Sequence, residues 1–509
     1  MSAYPNTPPD METASSDEKH ITHEAGAPSA LYATEKNPQH FDPKVVARIR
    51  RKIDFAIVPI VALLYLFCFI DRANIGNARI AGFERDLGMN PRSYQYNIVL
   101  TSFYVAYTVF EIPSTALTKI LGPGRWIPAM TFMFGLLSMV MAFVHSYGAA
   151  IAVRFLLGIA EAGMLPSIAY YLSRWYTKDE LTLRLGLYIL TAPSAGAFGG
   201  LLASGILKIR GIGSVRTWEQ IFLIEGIITI GIAVIGYFLM TDSIRTARFL
   251  TEEEKEIAEN RLKAEMVGQP HLVDKAKRNM LFKGILSPTS LACALMFLFD
   301  NIVVQGIAVF LPTIVRGLYP APRYTVIRQQ LLTVPPNVAG AFAVLIIAYS
   351  ASKFRVRSVL VFISALFMLT GYAMFLGSTN LNVRYAAAFV TCMGAFAQGA
   401  LLPAWAAANT NNDTERAGAI GSVVMAGNLG GLISTWTYLP KDAPNYVPGN
   451  ALNVAGGSAI AIISVLLVLW QRWENRQRDA GRRSHRLEGL STAEIELLGS
   501  SHPDFRLRY

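Results

Sequence analysis

The chain has 509 residues, of which 52% are apolar and only 16% charged, whereas soluble proteins carry roughly 25% charged residues. The net charge is +11, but no basic soluble domain with stacking aromatics is present, which excludes nucleic-acid binding. Apolar runs long enough to cross about 30 Å of hydrocarbon recur along the sequence, without the alternating strands of a β-barrel. The sequence therefore predicts an all-α membrane protein with many spans.

The predicted elements begin with a polar tail over 1–50, which has no secretory signal and is typical of a disordered cytosolic segment. Two groups of six apolar spans follow, over 51–240 and 288–472. A polar linker with a short helix over 241–287 separates them, and 473–509 form a cytosolic C-terminal tail. The spans are centred on 57–77, 97–120, 126–146, 149–172, 184–207, 219–240, 288–314, 328–350, 357–377, 383–405, 417–437 and 451–471.

Lysine and arginine residues predict the orientation, because they are enriched on the cytosolic side of membrane proteins. Basic clusters precede the first span, separate the eighth from the ninth, and follow the last. An even number of spans puts both termini on one side, and the charge places that side in the cytosol. Arg79, Arg85 and Arg92 in the first outer loop oppose this bias. We expect the plasma membrane, with a vacuolar or other internal membrane as the alternative.

Histidine and cysteine residues show no metal-ligand spacing and no disulfide framework. The seven histidines are scattered, and Cys68, Cys293 and Cys392 lie in apolar spans. The sequence also lacks a GxxxxGK[ST] phosphate loop and a recognisable nucleophile with its base. We therefore expect no metal, no cofactor and no enzymatic activity.

Arg154 and Glu161 stand seven residues apart in the apolar fourth span. Seven residues are nearly two helical turns, so both side chains share one face. Each charge costs roughly 2.5–3.5 kcal/mol at the bilayer centre, and such groups usually face a cavity. The pair predicts a site in a watery central space that binds an anion and handles a proton. The alternative is a structural ion pair between helices.

Asp71 and Arg72 lie near the outer end of the first span. Neighbouring residues on a helix point about 100° apart, so the two cannot face the same spot. We expect Arg72 to face the substrate path and Asp71, a candidate for proton coupling, to cap or pair elsewhere. In the alternative, both lie at the water interface, where charges cost little.

Two pairs of glycine-rich segments indicate a duplicated six-helix unit. GAFGGLLAS at 196–204 corresponds to GNLGGLIST at 427–435, and GIAEAGMLP at 158–166 corresponds to GAFAQGALLP at 394–403. The members of each pair lie in equivalent spans at nearly equal offsets. Two six-helix halves around a central site describe the major facilitator architecture.

Several motifs in order give the chain a specific resemblance. FIDRANIGNARI in the first span, FEIPS at 110–114, RFLLGIAEAGMLP at 154–166 and PAWAAANTNNDTERA at 403–417 resemble the anion:cation symporter family of the major facilitator superfamily, closest to its fungal allantoate-permease-like branch. The resemblance covers roughly 50–475. One departure is the loop LGPGRW at 121–126, which keeps Gly124 and Arg125 but lacks the usual acidic residue.

The resemblance implies a fold, a site and a mechanism. It implies twelve transmembrane helices in two pseudo-symmetric halves, working as a monomer without a cofactor. Arg72 and Arg154 match positions where relatives hold a carboxylate, and Glu161 matches a proton relay. Physical chemistry agrees, because a guanidinium donates a planar fork to a carboxylate and keeps its charge.

Other polar residues within the spans are weaker candidates. Glu111 and Arg125 are expected to act in gating, although Glu111 could also join the site. Asp300 is a second proton site, a partner for an arginine, or a harmless residue at the outer mouth. Asn301, Gln305 and Asn428 are candidates for substrate binding, and the alternative is that such amides tie helices together.

The leading hypothesis is a proton-coupled symporter for a small organic anion, a carboxylate such as a vitamin or nitrogen-source acid. Its partners are then the anion, protons and the lipid bilayer. The alternative is a nutrient receptor on the same fold, which transports nothing or combines both roles. The sequence names no single substrate.

Overall fold

The computed structural model describes residues 42–90, 92–176, 180, 184, 190–209, 215–266, 274–354, 356–491, 495 and 498–509. The described residues of the first half form eight helices, of which α2 is a single turn. They are α1 (Pro43–Ile80), α2 (Phe83–Asp86), α3 (Gln95–Leu121), α4 (Pro123–Met141), α5 (Tyr147–Glu161), α6 (Met164–Ser173), α7 (Thr191–Ile206) and α8 (Thr217–Leu239).

Two connecting helices and seven further helices complete the fold. The connecting helices are α9 (Glu252–Met266) and α10 (Asp274–Leu286), and the second half contains α11 (Pro288–Leu318), α12 (Val326–Leu331), α13 (Val334–Phe354), α14 (Arg357–Gly377), α15 (Leu381–Ala408), α16 (Asp413–Ser434) and α17 (Val447–Asp479). Short 3-10 turns cover Ile244–Thr246, Pro440–Asp442, Ser484–Leu487 and Gly499–Ser501. The described residues contain no strand, as the all-α prediction requires.

The described part of the chain has ten helices that are long and apolar enough to cross a membrane. Two of them are compound, since α5 with α6 forms the fourth span and α12 with α13 the eighth. The other two predicted spans are α3 and α7. Helix α3 has 27 residues but is too polar to be counted among the ten, and the described part of α7 has 16 residues. The structure is therefore consistent with twelve spans. We call the end that carries residues 43 and 509 the inner end.

The first helix starts earlier than predicted. The tail was expected to reach residue 50, but α1 begins at Pro43, where the Asp42 side chain accepts a hydrogen bond from the backbone N–H of Lys44 at 2.9 Å. Ile49 and Ile53 on one face of this segment are buried against the first half. An amphipathic start of this kind is helical because one stripe is covered. Residues 1–41 lie outside the described residues.

The linker and the C-terminal segment also differ from expectation. The linker contains two helices where one was predicted, and α10 packs against α16, with the backbone of Glu415 close to Gly284. The last span continues to Asp479 instead of 472. Beyond it, the chain folds back on the inner end, where the carbonyl of Arg508 accepts hydrogen bonds from the side chains of Trp405 and Asn409.

In the described residues, the two halves meet mainly where α1 contacts α11, where α3 contacts α16, and where α7 contacts α12 and α13. At the first pair the backbones almost touch, because a Cβ on Gly76 would lie 2.1 Å from the carbonyl oxygen of Val309. At the second, a Cβ on Gly431 would lie 2.7 Å from the ring of Tyr104. The glycine-rich repeats in α7 and α16 thus serve equivalent places on the seam between the halves.

Candidate functional site

A buried ion pair joins the first and fourth spans. The Nε of Arg72 donates to Oε2 of Glu161 at 2.6 Å, and the thiol of Cys68 donates to the same oxygen at 3.3 Å. Glu161 has no exposed surface, and Arg72 is 7% exposed. Arg72 is therefore buried in the protein, which contradicts the alternative that places it in interfacial water, while its position on the substrate path stays a prediction.

The position of Glu161 depends on a break in the fourth span. One continuous helix over 149–172 was predicted, but α5 ends at Glu161 and α6 starts at Met164. Gly163 between them has φ +80°, a left-handed conformation that favours glycine. A Cβ there would also lie 2.8 Å from the side chain of Ser114 on α3. The break lets α3 approach closely and puts Glu161 at a helix end.

Aromatic rings surround the guanidinium of Arg72. Its Cζ lies 4.6 Å from the ring centre of Tyr107, 5.6 Å from that of Phe103 and 5.3 Å from that of Phe69. Rings within about 6 Å attract a cation through their negative faces. This aromatic cage of Phe69, Phe103 and Tyr107 holds the arginine in place. Most of its N–H groups do not donate to a carboxylate of the described residues.

Asp71 points away from Arg72, as the helix geometry predicts. Its carboxylate accepts a hydrogen bond from Ser138 on α4. It is also within interaction distance of Arg154 and of the Glu161 carboxyl. Because Asp71 is buried, the interpretation that places it in interfacial water is wrong as well.

Arg154 on α5 lies in the same buried cluster of charges as Asp71, Arg72 and Glu161, and much of its guanidinium has no partner in the described part of the structure. It is 2% exposed, and neither Nε nor Nη2 has a hydrogen-bond partner among the described residues. Its Cζ lies 5.6 Å from the ring centre of Phe222. No carboxylate in the described chain comes within ion-pair distance of it, whereas Glu161 does form an ion pair between helices, with Arg72, as the structural alternative expects. A forked donor without an acceptor is suited to an incoming carboxylate.

Sequence reasoning missed a third buried carboxyl, Glu225 on α8. It is 2% exposed, neither carboxyl oxygen has a hydrogen-bond partner in the described chain, and it interacts electrostatically with Asp71. The signal was available, since Glu225 interrupts the apolar run IFLIEGIITIG. The cluster then holds three carboxyls and two guanidiniums, so charge balance favours one bound proton.

Two hydrogen bonds connect the surroundings of this cluster to the second half. The hydroxyl of Tyr104 donates to Oε1 of Gln305 at 3.0 Å, and Nδ2 of Asn428 donates to Oε2 of Glu111. Both bonds cross the seam, so the structure brings these predicted residues together at the boundary between halves. Asn301 instead donates to the carbonyl of Phe297 on its own helix, at 3.1 Å.

Asp300 and Arg125 lie apart from the cluster. Asp300 is fully buried within the second half, and neither of its carboxyl oxygens has a partner among the described residues. Its full burial rules out the harmless position at the outer mouth. Arg125 is exposed and lies 3.7 Å from Asp242, at the end of the sixth span in its own half. Asp242 also accepts from the N–H of Gly124 at 2.8 Å, so it supplies an acid that the loop itself lacks.

The charges of the fourth span do not stand in open water in this conformation. Arg154 and Glu161 face the protein interior and not lipid, but both are almost completely covered. The watery central space predicted from the sequence is therefore closed at this level.

The Major Facilitator Superfamily profile matches residues 61–435, most of the chain. The chain belongs to the major facilitator superfamily. Similar proteins include the high-affinity nicotinic acid transporter of Saccharomyces cerevisiae, 30% identical over 489 residues, with 96% of this chain and 88% of that protein covered. The major facilitator-type transporter hxnP of Emericella nidulans is 30% identical over 492 residues and covers 95% and 97%. The predicted likeness to fungal members is confirmed, and the protein is a multi-pass membrane transporter with a small-molecule substrate and not an enzyme.

Solved structures show the same major facilitator fold. A bacterial homolog of the human lysosomal transporter Spinster, in an inward-facing and unoccupied conformation, has a TM-score of 0.59 at 16% identity. The match covers 84% of this chain and 96% of that one. The predicted architecture of two six-helix halves is therefore confirmed.

Proposed function

We propose that this superfamily member carries a small organic anion together with a proton by alternating access. One observation supports this most directly: Arg154 is buried beside the Arg72–Glu161 pair with two N–H donors that lack partners in the described chain. A buried, unpaired guanidinium is costly and is retained where it has a function. The functional state it fits is a complex with a carboxylate.

The substrate carboxylate would bind between the two arginines. Arg154 offers its free fork, and Arg72 is held by the aromatic cage and by Glu161. A carboxylate that takes a hydrogen bond from Arg72 competes with Glu161 for the guanidinium. Once Glu161 loses that partner in a site without water, its charged form becomes costly. Glu161 then accepts a proton, which couples anion binding to proton binding.

Movement of the halves would begin with changes in the hydrogen bonds at the seam between them. Gln305 and Asn428 belong to the second half and bond to Tyr104 and Glu111 close to the cluster. Binding that rearranges Arg72 disturbs the nearby ring of Tyr107 and the helix α3, which carries both Tyr104 and Glu111. We assign Glu111 to gating on this basis, and Arg125 to gating through its contact with Asp242. Gln305 and Asn428 border the site, and Asn301 lies next to α16.

The substrate class is a monocarboxylate. The yeast relative is named for nicotinic acid, an aromatic carboxylic acid. An aromatic acid would suit the rings of Phe103 and Tyr107 next to Arg72. We further propose a monomer in the plasma membrane with both termini in the cytosol, in line with the basic clusters at the inner end.

Uptake into liposomes tests this proposal. The purified chain is reconstituted, and labelled nicotinate and a panel of other monocarboxylates are offered at external pH 5.5 and 7.5 with and without a protonophore. Accumulation should need the proton gradient and vanish in Arg154→Gln, while Arg316→Gln, which replaces an exposed arginine outside the cluster, should accumulate the acid like the wild type. If a carboxylate accumulates equally with and without the proton gradient, the proposed coupling is wrong. If Arg154→Gln shows normal uptake, the proposed anion site is wrong.

A further inference from the structure

A basic groove at the inner end of α1 has no role in the transport site. It is lined by the stripe Lys44, Arg48, Arg51, Lys52 and Phe55 and by Phe249, and its volume is about 740 Å³. Ligand sites commonly have volumes of roughly 300–1,000 Å³. The stripe follows helical spacing, so all of its side chains share the face opposite the buried Ile49 and Ile53.

Three of the basic groups are free within the described chain. Lys44, Arg48 and Arg51 are exposed and form none of its ion pairs, whereas Lys52 bonds to Glu254 at 2.7 Å. The other large cavity at this end also contains arginines, but there Arg478, Arg483 and Arg486 are paired with Glu474. Only the α1 groove in this comparison offers uncompensated positive charge.

The apolar members of the groove indicate which anion it takes. Phe55 is 81% exposed and stands one turn further along α1 than Arg51, where the apolar part of the span starts. Phe249 forms the opposite wall and is fixed by stacking on Trp175, with ring centres 5.9 Å apart. A ligand that fits has a phosphate at one end and acyl chains at the other.

We propose that this groove binds the headgroup of an anionic phospholipid, with its phosphate at Lys44, Arg48 and Arg51 and its acyl chains beside Phe55. Basic residues next to a span attract acidic lipids, each by about fivefold in binding. The groove also lies at the depth of lipid headgroups, because α1 enters the bilayer directly after it. The membrane is therefore the nearest source of phosphate.

Binding of short-chain lipids to the purified full-length protein in neutral detergent tests the proposal. The probes are dioctanoyl phosphatidylserine, dioctanoyl phosphatidylinositol phosphate, dioctanoyl phosphatidylcholine and inorganic phosphate. The variant Lys44→Gln/Arg48→Gln/Arg51→Gln should lose at least tenfold in affinity for the acidic lipids. The control Arg92→Gln/Arg316→Gln/Arg323→Gln removes the same charge at the outer end and should bind like the wild type.

The variant Phe55→Ala distinguishes binding of a lipid from binding of a soluble anion. Phe55 is exposed, so its replacement should leave the fold intact. It should weaken the acidic lipids severalfold, and phosphatidylcholine should bind weakly to every form. Equal affinity of the triple variant and the wild type would overturn the site. Inorganic phosphate that displaces the lipid at similar concentration, or an equal loss in the outer control, would overturn the lipid assignment.

Discussion

Arg72 and Glu161 form a 2.6 Å ion pair, while Arg154, which shares a span with Glu161, has no acidic partner within ion-pair distance in the described chain. The buried charges of the two arginines are therefore compensated to different degrees. Arg72 is compensated by a carboxylate and aromatic rings. Arg154 has a longer-range interaction with Asp71 but no ion-pair partner in the described chain, which leaves its guanidinium available to a ligand.

Replacing each arginine with methionine should separate stability from transport. Arg72→Met leaves Glu161 buried and unpaired, and breaking a buried pair costs about 3–5 kcal/mol. Arg154→Met removes a charge that the described protein does not pair, so its unfolding midpoint should match or exceed that of the wild type. Both variants should lose transport. Thermal unfolding in detergent and uptake in liposomes measure the two effects.

The same pair of variants addresses the structural alternative for Arg154. If Arg154→Met lowers the unfolding midpoint as far as Arg72→Met does, Arg154 stabilises the fold and is not a free anion site. Nicotinate or another carried acid should raise the midpoint of the wild type, because a ligand that binds only the folded state stabilises it. It should leave that of Arg154→Met unchanged.

Removing the hydroxyl of Tyr104 should loosen the seam between the halves. Its hydrogen bond to Gln305 is buried, and such bonds in membrane proteins contribute on average about 0.6 kcal/mol, equivalent to roughly threefold in an equilibrium. A cysteine at Val309, which lies against Gly76 at the outer seam, should react about threefold faster with maleimide in Tyr104→Phe/Val309→Cys than in Val309→Cys.

Tyr372→Phe is the matched control for the seam. It also removes a buried tyrosine hydroxyl, whose bond to Tyr438 at 3.2 Å stays within the second half. The rate at Val309→Cys should not respond to it. Equal acceleration by both tyrosine changes would mean that general loosening, and not the seam, governs access.

Alanine at Gly163 should disturb the break in the fourth span. The φ of +80° costs an L-residue about 1–2 kcal/mol, and the new Cβ also collides with Ser114. We expect a lower unfolding midpoint and reduced transport, since Glu161 loses its position. Gly231→Ala in α8, where a Cβ meets nothing within 4 Å, should be neutral or stabilising by up to about 1 kcal/mol. A Gly163→Ala protein as stable as Gly231→Ala would contradict the strain assigned to the break.

The sequence was sufficient to place the spans and to identify charges that the fold buries. Apolar length and basic clusters are local properties, and a charge inside a span must face the interior, so Arg72, Arg154 and Glu161 could be singled out. Their pairing could not be predicted. It depends on the break at Gly163 and on the tertiary placement that lets Arg72 of α1 reach Glu161 at the end of α5, which helical spacing along one span does not contain.

Contacts between the halves could not be predicted from one sequence either. Asn428 is a candidate for substrate binding, and its hydrogen bond to Glu111 across the seam could not be predicted. Glycine-rich repeats revealed two equivalent units but not which residues meet. The early start of α1 was missed because its polar face resembles a solvated tail, while the isoleucine stripe that makes it helical is visible only once its packing is known.

The carboxyl of Glu225 provides a test of the charge balance in the cluster. Glu161 is paired with Arg72 and Asp71 accepts a hydrogen bond from Ser138, whereas neither carboxyl oxygen of Glu225 has a partner among the described residues, so we expect Glu225 to hold the retained proton. Glutamine has nearly the same shape as a neutral carboxyl. Glu225→Gln should therefore keep the wild-type unfolding midpoint and proton-driven accumulation, whereas Glu161→Gln should bind and exchange the anion without accumulating it. External pH in a weakly buffered liposome suspension reports proton uptake directly. If Glu225→Gln loses proton uptake and Glu161→Gln keeps it, the coupling group is Glu225, and the assignment of the two acids is reversed.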